Sequence, residues 1–186
     1  SCGIYEAHAV RTPAVNVGDR QAGRTRAFGV IDVPCDVEAV RAGIERALES
    51  LRAGIGYSSA ACGADTLFLE ALQARGGETN VVLPFDRRDF FATSVAHAGA
   101  QWVQRVDRAL AGIASVDQAT PGTYGSDNLL FLYANSLIMG KAILRSRLLE
   151  TDAHLLAVWD GRNTRRAGGT SQFIGTWNHS GLPLTV

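Results

Sequence analysis

One stretch of the chain combines small residues with a helix start in the order typical of anion-binding turns. Gly56–Asp65 reads GYSSAACGAD, follows a short apolar strand and leads into an amphipathic helix. Small side chains let a backbone approach a phosphate, and the first N–H groups of a helix, with its dipole, attract anions. The same pattern also builds βα turns that bind nothing, so both interpretations stay open. The candidate phosphate contacts of this turn are Ser58, Ser59, Gly63, Ala64 and Asp65.

A second turn of similar composition comes late in the chain. Gly168, Gly169 and Thr170 follow an apolar strand and precede another predicted helix. Two such turns at one sheet edge would clamp a ligand with two anionic groups. Pro84 and Phe85 follow a third strand, where Phe85 would either stack on a nucleobase or fill the core.

Asn135 lies within an otherwise apolar helix. A buried amide of this kind either contacts a ligand or satisfies the backbone, and the sequence leaves both roles open.

Catalytic groups are sparse. Glu6, early in the predicted first strand, and Asp160, directly after the strand His154–Trp159, are the candidate catalytic carboxylates, but a lone Glu in a strand is more often a surface residue, so neither is assigned a catalytic role. No nucleophile-elbow pattern supports Ser/His/Asp catalysis. The four His and three Cys residues show no metal-ligand spacing. The sequence therefore predicts neither a metal nor a cofactor.

The elements that must position these residues alternate between strands and helices, which predicts an α/β fold with three layers and a mostly parallel sheet of five to six strands. Ligands bind such sheets at the carboxyl ends of strands. Arg11–Val33, rich in Gly and Arg, is predicted to be a loop. The predicted strands are Cys2–His8, Ile55–Ser58, Asn80–Pro84, Ser115–Ala119, His154–Trp159 and Leu182–Val186. The predicted helices are Asp36–Arg52, Asp65–Arg75, Asp86–Gly112 with a break near His97–Ala100, Asp127–Leu149 and Ser171–His179.

Length and charge narrow the class of protein. The 186 residues predict a single domain over 1–186, and its abrupt ends indicate a piece excised from a longer protein or a processed product. A formal net charge of zero argues against nucleic-acid binding. The absence of a membrane-spanning run and of a secretory signal, with three widely spaced cysteines that form no disulfide framework, indicates a cytoplasmic protein with no membrane partner. The helix Asp127–Leu149 is predicted to face inward through Leu130, Tyr133, Leu137, Ile138, Ala142 and Leu148. The exposed share of this apolar helix predicts a contact between two copies.

The motifs Gly56–Asp65, Val82–Phe85 and Ala167–Thr170 resemble the SLOG superfamily, and the resemblance extends over roughly Ile55–Val186. That group unites the DNA-processing Smf proteins, the LOG or lysine-decarboxylase-like proteins and many nucleotide-sensor domains. The chain also resembles the domain attached to bacterial nucleotide cyclases and tetratricopeptide-repeat proteins, which carries a similar Gly-Tyr-Ser-Ser-Ala-Ala-Cys-Gly-Ala-Asp stretch. The resemblance implies a Rossmann-like fold, a nucleotide-derived ligand held at the two turns, and signalling to a fused or associated effector.

The sequence departs from the catalytic motif of the LOG proteins, which favours a ligand sensor over an enzyme. LOG-type phosphoribohydrolases carry Pro-Gly-Gly-x-Gly-Thr followed by a catalytic glutamate, whereas Ala167–Phe173 reads AGGTSQF and no Glu follows. The main expectation is thus a ligand sensor. The alternatives are a LOG-like or deoxyribosyltransferase-like hydrolase of N-glycosidic bonds, with Glu6 or Asp160 as carboxylate, and a scaffold domain that binds no ligand.

Overall fold

The structure, a computed structural model, describes residues 14–18, 30–125, 128–160 and 168–179. Six strands and six α-helices lie within these ranges, and the predicted strands Cys2–His8 and Leu182–Val186 lie outside them. The strands are β1 (Ala14–Val17), β2 (Val30–Val33), β3 (Ile55–Ser58), β4 (Glu78–Leu83), β5 (Ser115–Gln118) and β6 (Ala157–Trp159). The helices are α1 (Val37–Ser50), α2 (Ala64–Ala74), α3 (Arg87–Ser94), α4 (Ala100–Ala111), α5 (Leu129–Leu148) and α6 (Thr170–His179).

The described strands form two parallel sheets of three. One has the order β2-β1-β6, with Val15 opposite both Ile31 and Val158, and the other has the order β3-β4-β5. The α/β class and the parallel pairing are therefore confirmed. The described residues show two sheets where the sequence predicted one continuous sheet of five to six strands. Among the described strands, β5 lies at the edge of the second sheet, which fits its low hydrophobicity.

Helices α1 and α2 form the layer on one face. Asp36 starts α1 by accepting hydrogen bonds from the N–H groups of Glu38 and Ala39, both at 3.0 Å, as an N-cap residue does. A single hydrophobic cluster joins β1 and β2 to both helices and includes Val15, Ile44 and Leu72, all fully buried. This layer therefore contacts the first sheet, while α2 also packs against β3 and β4.

Two close contacts hold α2 in place. A Cβ added at Gly56 in β3 would lie 2.5 Å from Leu72 and 2.6 Å from Phe68, so only glycine lets the helix approach the strand this closely. Glu70 accepts hydrogen bonds from Arg41 of α1 and from Arg105 of α4, the second through two nitrogens at 2.6 and 2.7 Å. Glu70 thus ties three helices together.

Helices α5 and α6 cover the other face. Buried Ala134 and Ile138 of α5 pack with Val82 of β4, while Ile174 and Trp177 of α6 pack against β6. Because α5 contacts both β3 and α6, the pair of helices extends from one sheet to the other. None of the helices within the described ranges has the length and apolar character that crossing a bilayer requires.

Three sequence predictions need correction. The predicted loop Arg11–Val33 contains β1 and β2, and the predicted strand His154–Trp159 is reduced to the three residues of β6. Tyr133 and Leu148, predicted to face inward, are 48% and 70% exposed. The apolar residues of α5 are spread around the helix instead of being gathered on one face, so its pattern does not identify the buried side. The other helices and β3–β5 agree with their predictions to within two residues, including the break between α3 and α4, where a 3₁₀ turn spans Ala96–Ala98.

Candidate functional site

A cavity of about 870 Å³ lies between β3 and β6, which are edge strands of the two sheets. Its walls include side chains from α5 and α6. The turn after β3 and the turn that starts α6 both line it, so the structure places the two predicted anion-binding turns on one cavity. The predicted site residues on its wall are Ser58, Ser59, Ala64, Asp65, Pro84, Asn135, Gly168, Gly169 and Thr170.

The middle of the first turn is hydrogen-bonded within the protein. The Cys62 N–H donates to the carbonyl oxygen of Ser94 at 3.1 Å, and the Ala61 N–H donates to Asp65 Oδ2 at 3.3 Å. Thr66 Oγ1 donates to the Ala61 carbonyl at 2.7 Å. These two amides are therefore occupied by the protein itself, so the middle of Gly56–Asp65 does not offer the free N–H groups that the anion-binding interpretation of this turn expects.

The start of α2 keeps a free donor. Gly63 is the N-cap residue, with φ of +97°, and provides no side chain to cap the helix. Among the described residues the Ala64 N–H has no hydrogen-bond partner, and Ala64 lies on the cavity wall, whereas Gly63 does not. The first turn therefore offers a ligand the helix start at Ala64 and the hydroxyls of Ser58 and Ser59.

Asp65 changes the electrostatics of this end of the cavity. Burial raises the pKa of its carboxyl group to about 6, against the opposing effect of the hydrogen bond from Ala61. Above that pH the carboxylate carries a negative charge on the cavity wall, which would repel a phosphate and attract a hydrogen-bond donor. The assignment of Asp65 as a phosphate contact is thus not favoured by its own chemistry.

The second turn is shaped by side chains that hold Gly168. Its φ is +77°, and an added Cβ would lie 2.5 Å from the Cβ of Phe131 in α5, so a larger residue does not fit. The Gly168 N–H donates to Gln172 Oε1 at 2.8 Å, and its carbonyl accepts from Asn135 Nδ2 at 3.0 Å. Of the two roles left open for Asn135, the structure shows backbone satisfaction, at a position that also faces the cavity.

The N-terminus of α6 is the stronger anion-binding candidate. No hydrogen bond from the N–H groups of Gly169 or Thr170 is found within the described ranges, and both residues line the cavity. Thr170 is exposed. Unlike the α2 start, this end of the cavity has no carboxylate in the helix's first turn.

Phe85 belongs to the core. It is fully buried, stacks on Tyr124 with ring centroids 4.9 Å apart, and meets the rings of Phe90 and Phe131 edge-on. It does not line the cavity, in contrast to Pro84 beside it. The proposed base-stacking role of Phe85 is therefore wrong, because the aromatic cluster already occupies both its face and its edges.

The two weak carboxylate candidates gain no support as a catalytic pair. Glu6 lies outside the described residues, and Asp160 is not among the described residues of the cavity wall. No group of three or more His, Cys, Asp or Glu in the described part of the chain is arranged to hold a metal ion.

Three basic side chains on the cavity wall were not predicted from the sequence. Arg52, Arg145 and His154 line the wall near the residues that precede β3 and β6, and Asp152 lies on the same wall. Arg145 forms an ion pair with Glu78 at 3.2 Å, while its buried Nε and the buried His154 Nδ1 have no hydrogen-bond partner within the described ranges. Sequence patterns point to residues that follow strands, whereas these three lie before the strands or on α5.

Cys62 lies beside a histidine but is not an activated thiol. Its Sγ is 3.5 Å from Nε2 of His97. Burial, and secondarily the negative charge of Asp65, raise the pKa of the Cys62 thiol above its ordinary value. A reactive cysteine requires the opposite shift.

Comparison with known proteins gives one short match. No protein-family model matches the chain. A stretch of 44 residues is 43% identical to the polysialic acid biosynthesis protein P7 of Escherichia coli. This stretch is 24% of the chain and 11% of that protein, so the chain matches only a small part of its relative. A match of this length assigns no family.

Proposed function

We propose that this chain is a sensor domain that binds a nucleotide or nucleotide derivative. The observation that carries the proposal is that two turns of anion-binding type, one leading into α2 and one into α6, line the same cavity. Each brings the start of a helix of ten or more residues to that cavity. At the start of α6, N–H groups without a partner among the described residues and the helix dipole favour a phosphate, whereas the start of α2 adds the Ala64 N–H beside the carboxyl group of Asp65. A volume of about 870 Å³ is within the range of small-molecule and cofactor sites.

The two ends of the site favour different parts of the ligand. The first turn of α6 holds no carboxylate, and the N–H groups of Gly169 and Thr170 have no partner among the described residues, so we assign the phosphate to the start of α6. Asp65, with its raised pKa, is suited to accept a hydrogen bond from a ribose hydroxyl or a base amine. The hydroxyls of Ser58 and Ser59 can bind either part of the ligand, because a hydroxyl both donates and accepts hydrogen bonds.

The fold proposed for this function is one Rossmann-like sheet of the SLOG type. Two observations support it: the edge strands β3 and β6 border the same cavity, and helix layers cover both faces of the two sheets. The ligand would occupy the part of the cavity at the carboxyl ends of β3 and β6.

By the resemblance to the domains joined to nucleotide cyclases and tetratricopeptide-repeat proteins, the proposed role of binding is to regulate a fused or associated effector. The alternative is an enzyme that hydrolyses N-glycosidic bonds. It is less favoured because the sequence lacks the LOG catalytic glutamate and because Asp160 is not on the described wall.

Isothermal titration calorimetry tests ligand binding directly. The probes are adenine and guanine nucleoside mono-, di- and triphosphates and their cyclic monophosphates, each at up to about 1 mM, where millimolar affinities are still detected. We expect saturable binding of at least one probe. Thr170→Glu should weaken that binding by about tenfold or more, because it places a negative charge at the proposed phosphate site.

Thr93→Glu is the matched control, since Thr93 is an exposed residue of α3 that does not line the cavity. Its affinity should equal that of the wild type. Equal weakening by both variants, or no saturable binding of any probe, would overturn the proposal. Chromatography of the same mixtures after incubation separates the two functions: release of free base supports the hydrolase, and unchanged nucleotide supports the sensor.

A further inference from the structure

Helix α5 presents a row of large apolar side chains to the exterior, which we call the α5 stripe. It consists of Leu129, Tyr133, Leu144 and Leu148, which are 58%, 48%, 60% and 70% exposed. Folded monomers rarely expose large apolar patches, and the patches that they do expose are often functional. The stripe is distinct from the cavity, because none of its four residues lines the cavity wall.

The middle of the helix surface between these residues carries small side chains. Ser136 and Gly140 are exposed and lie one helical turn apart, and a Cβ added at Gly140 would meet nothing within 4 Å. Small residues at the centre of a helix surface allow a second helix to approach closely. The stripe therefore has large side chains towards both ends and a shallow crossing point in the middle.

The stripe is symmetric about that crossing point. Leu129 and Leu148 are equally far in sequence from the midpoint between Ile138 and Met139, and Tyr133 and Leu144 are also equally far from it. When two copies of α5 pack antiparallel about this midpoint, Leu129 of one copy meets Leu148 of the other and Tyr133 meets Leu144. A two-fold interface has this property, since residue i contacts residue j and j contacts i.

We propose that the α5 stripe is the interface of a homodimer in which the α5 helices of two copies of this chain pack antiparallel. The antiparallel arrangement also sets the two helix dipoles in opposition, which is the favourable orientation. The formal net charge of zero removes the long-range repulsion that would oppose the association of identical chains.

The size of the stripe is consistent with this interface. Its four exposed fractions amount to on the order of 400 Å² of accessible surface for each copy. A standard interface buries about 800 Å² on each partner, of which somewhat more than half is apolar. The stripe would therefore supply most of the apolar half, with the polar residues beside it forming the rim.

Sedimentation velocity over protein concentrations from about 5 to about 500 μM measures the proposed association. We expect the wild type to be dimeric at the upper end. Leu144→Glu should raise the dimer dissociation constant at least about 30-fold, because the interface would bury an unpaired charge. Leu149→Glu is the matched control, since Leu149 is also exposed but lies outside the stripe, and it should leave the dissociation constant unchanged.

A charge pair tests the antiparallel register. Tyr133→Lys and Leu144→Glu should each be monomeric alone and should associate when mixed, because the introduced lysine of one chain faces the introduced glutamate of the other only in an antiparallel pair. A monomeric wild type at the highest concentration, equal effects of the variants at Leu144 and Leu149, or a mixture that stays monomeric would each overturn the proposal. Circular dichroism of every variant confirms that the exposed substitutions leave the fold intact.

Discussion

Replacement of Asp65 by asparagine should stabilise the protein, and the gain should grow with pH. The raised pKa means that the folded protein holds the Asp65 proton more tightly than the unfolded chain does. The stability from this group is fully present below the ordinary pKa of 3.8 and is lost as the pH rises through about 6. Asparagine is neutral at every pH and keeps an oxygen that accepts the hydrogen bond from Ala61.

The magnitude follows from the two pKa values. Raising the pKa from 3.8 to about 6 corresponds to about 3 kcal/mol of destabilisation once the carboxyl is fully ionised. Part of this cost is already present at pH 5, so the stability difference between Asp65→Asn and wild type should increase by about 1.4 kcal/mol from pH 5 to pH 7.5. Other titrating groups are common to both proteins and cancel in the difference.

Urea unfolding followed by tryptophan fluorescence at both pH values measures this difference, and the chain has three tryptophans as reporters. Asp65→Ala separates charge from hydrogen bonding, since it lacks the acceptor and should be less stable than Asp65→Asn by about 1 kcal/mol at either pH. A stability difference between Asp65→Asn and wild type that is constant or decreases with pH would refute the reasoning.

Three further changes test contacts of the fold and site. Glu70→Gln should lower the free energy of unfolding by about 1–2 kcal/mol at pH 7, because it weakens the hydrogen bonds to Arg41 and Arg105. This loss should shrink as the pH falls through the lowered pKa of Glu70. A loss that is independent of pH in urea unfolding would contradict this prediction. Gly56→Ala should cost about 1–3 kcal/mol through overpacking against α2, while Gly54→Ala, with open space around the added methyl, should cost less; equal costs in the same assay would be inconsistent with the close approach. Asn135→Ala should speed amide hydrogen exchange at the start of α6 because Gly168 loses its side-chain donor, and unchanged exchange would show that the bond is dispensable.

The sequence predicted the elements whose signals are local. The Asp36 cap and the three- and four-residue spacing located α1, and the apolar run of β4 located a strand covered on both faces. Both small-residue turns were found because glycine and a following helix start mark such turns. That they line one cavity was a topological expectation from parallel strands, and the structure agrees with it.

The features that the sequence did not predict depend on distant contacts. Strands β1 and β2 are four residues each in a segment rich in Gly and Arg, and they exist through pairing with each other and with β6. The support of Gly168 comes from Asn135, 33 residues away. Phe85 is in the core because three other aromatic rings, from different elements, surround it.

The central claim is that the starts of α2 and α6 form one site for an anionic ligand. An NMR titration that follows the backbone amide signals of Ala64 and Thr170 together, with the tightest-binding nucleotide from the calorimetry, tests it most directly. We predict that both amides shift and that both curves give the same dissociation constant. Movement of only one signal, or two signals that saturate at different nucleotide concentrations, would contradict a shared site.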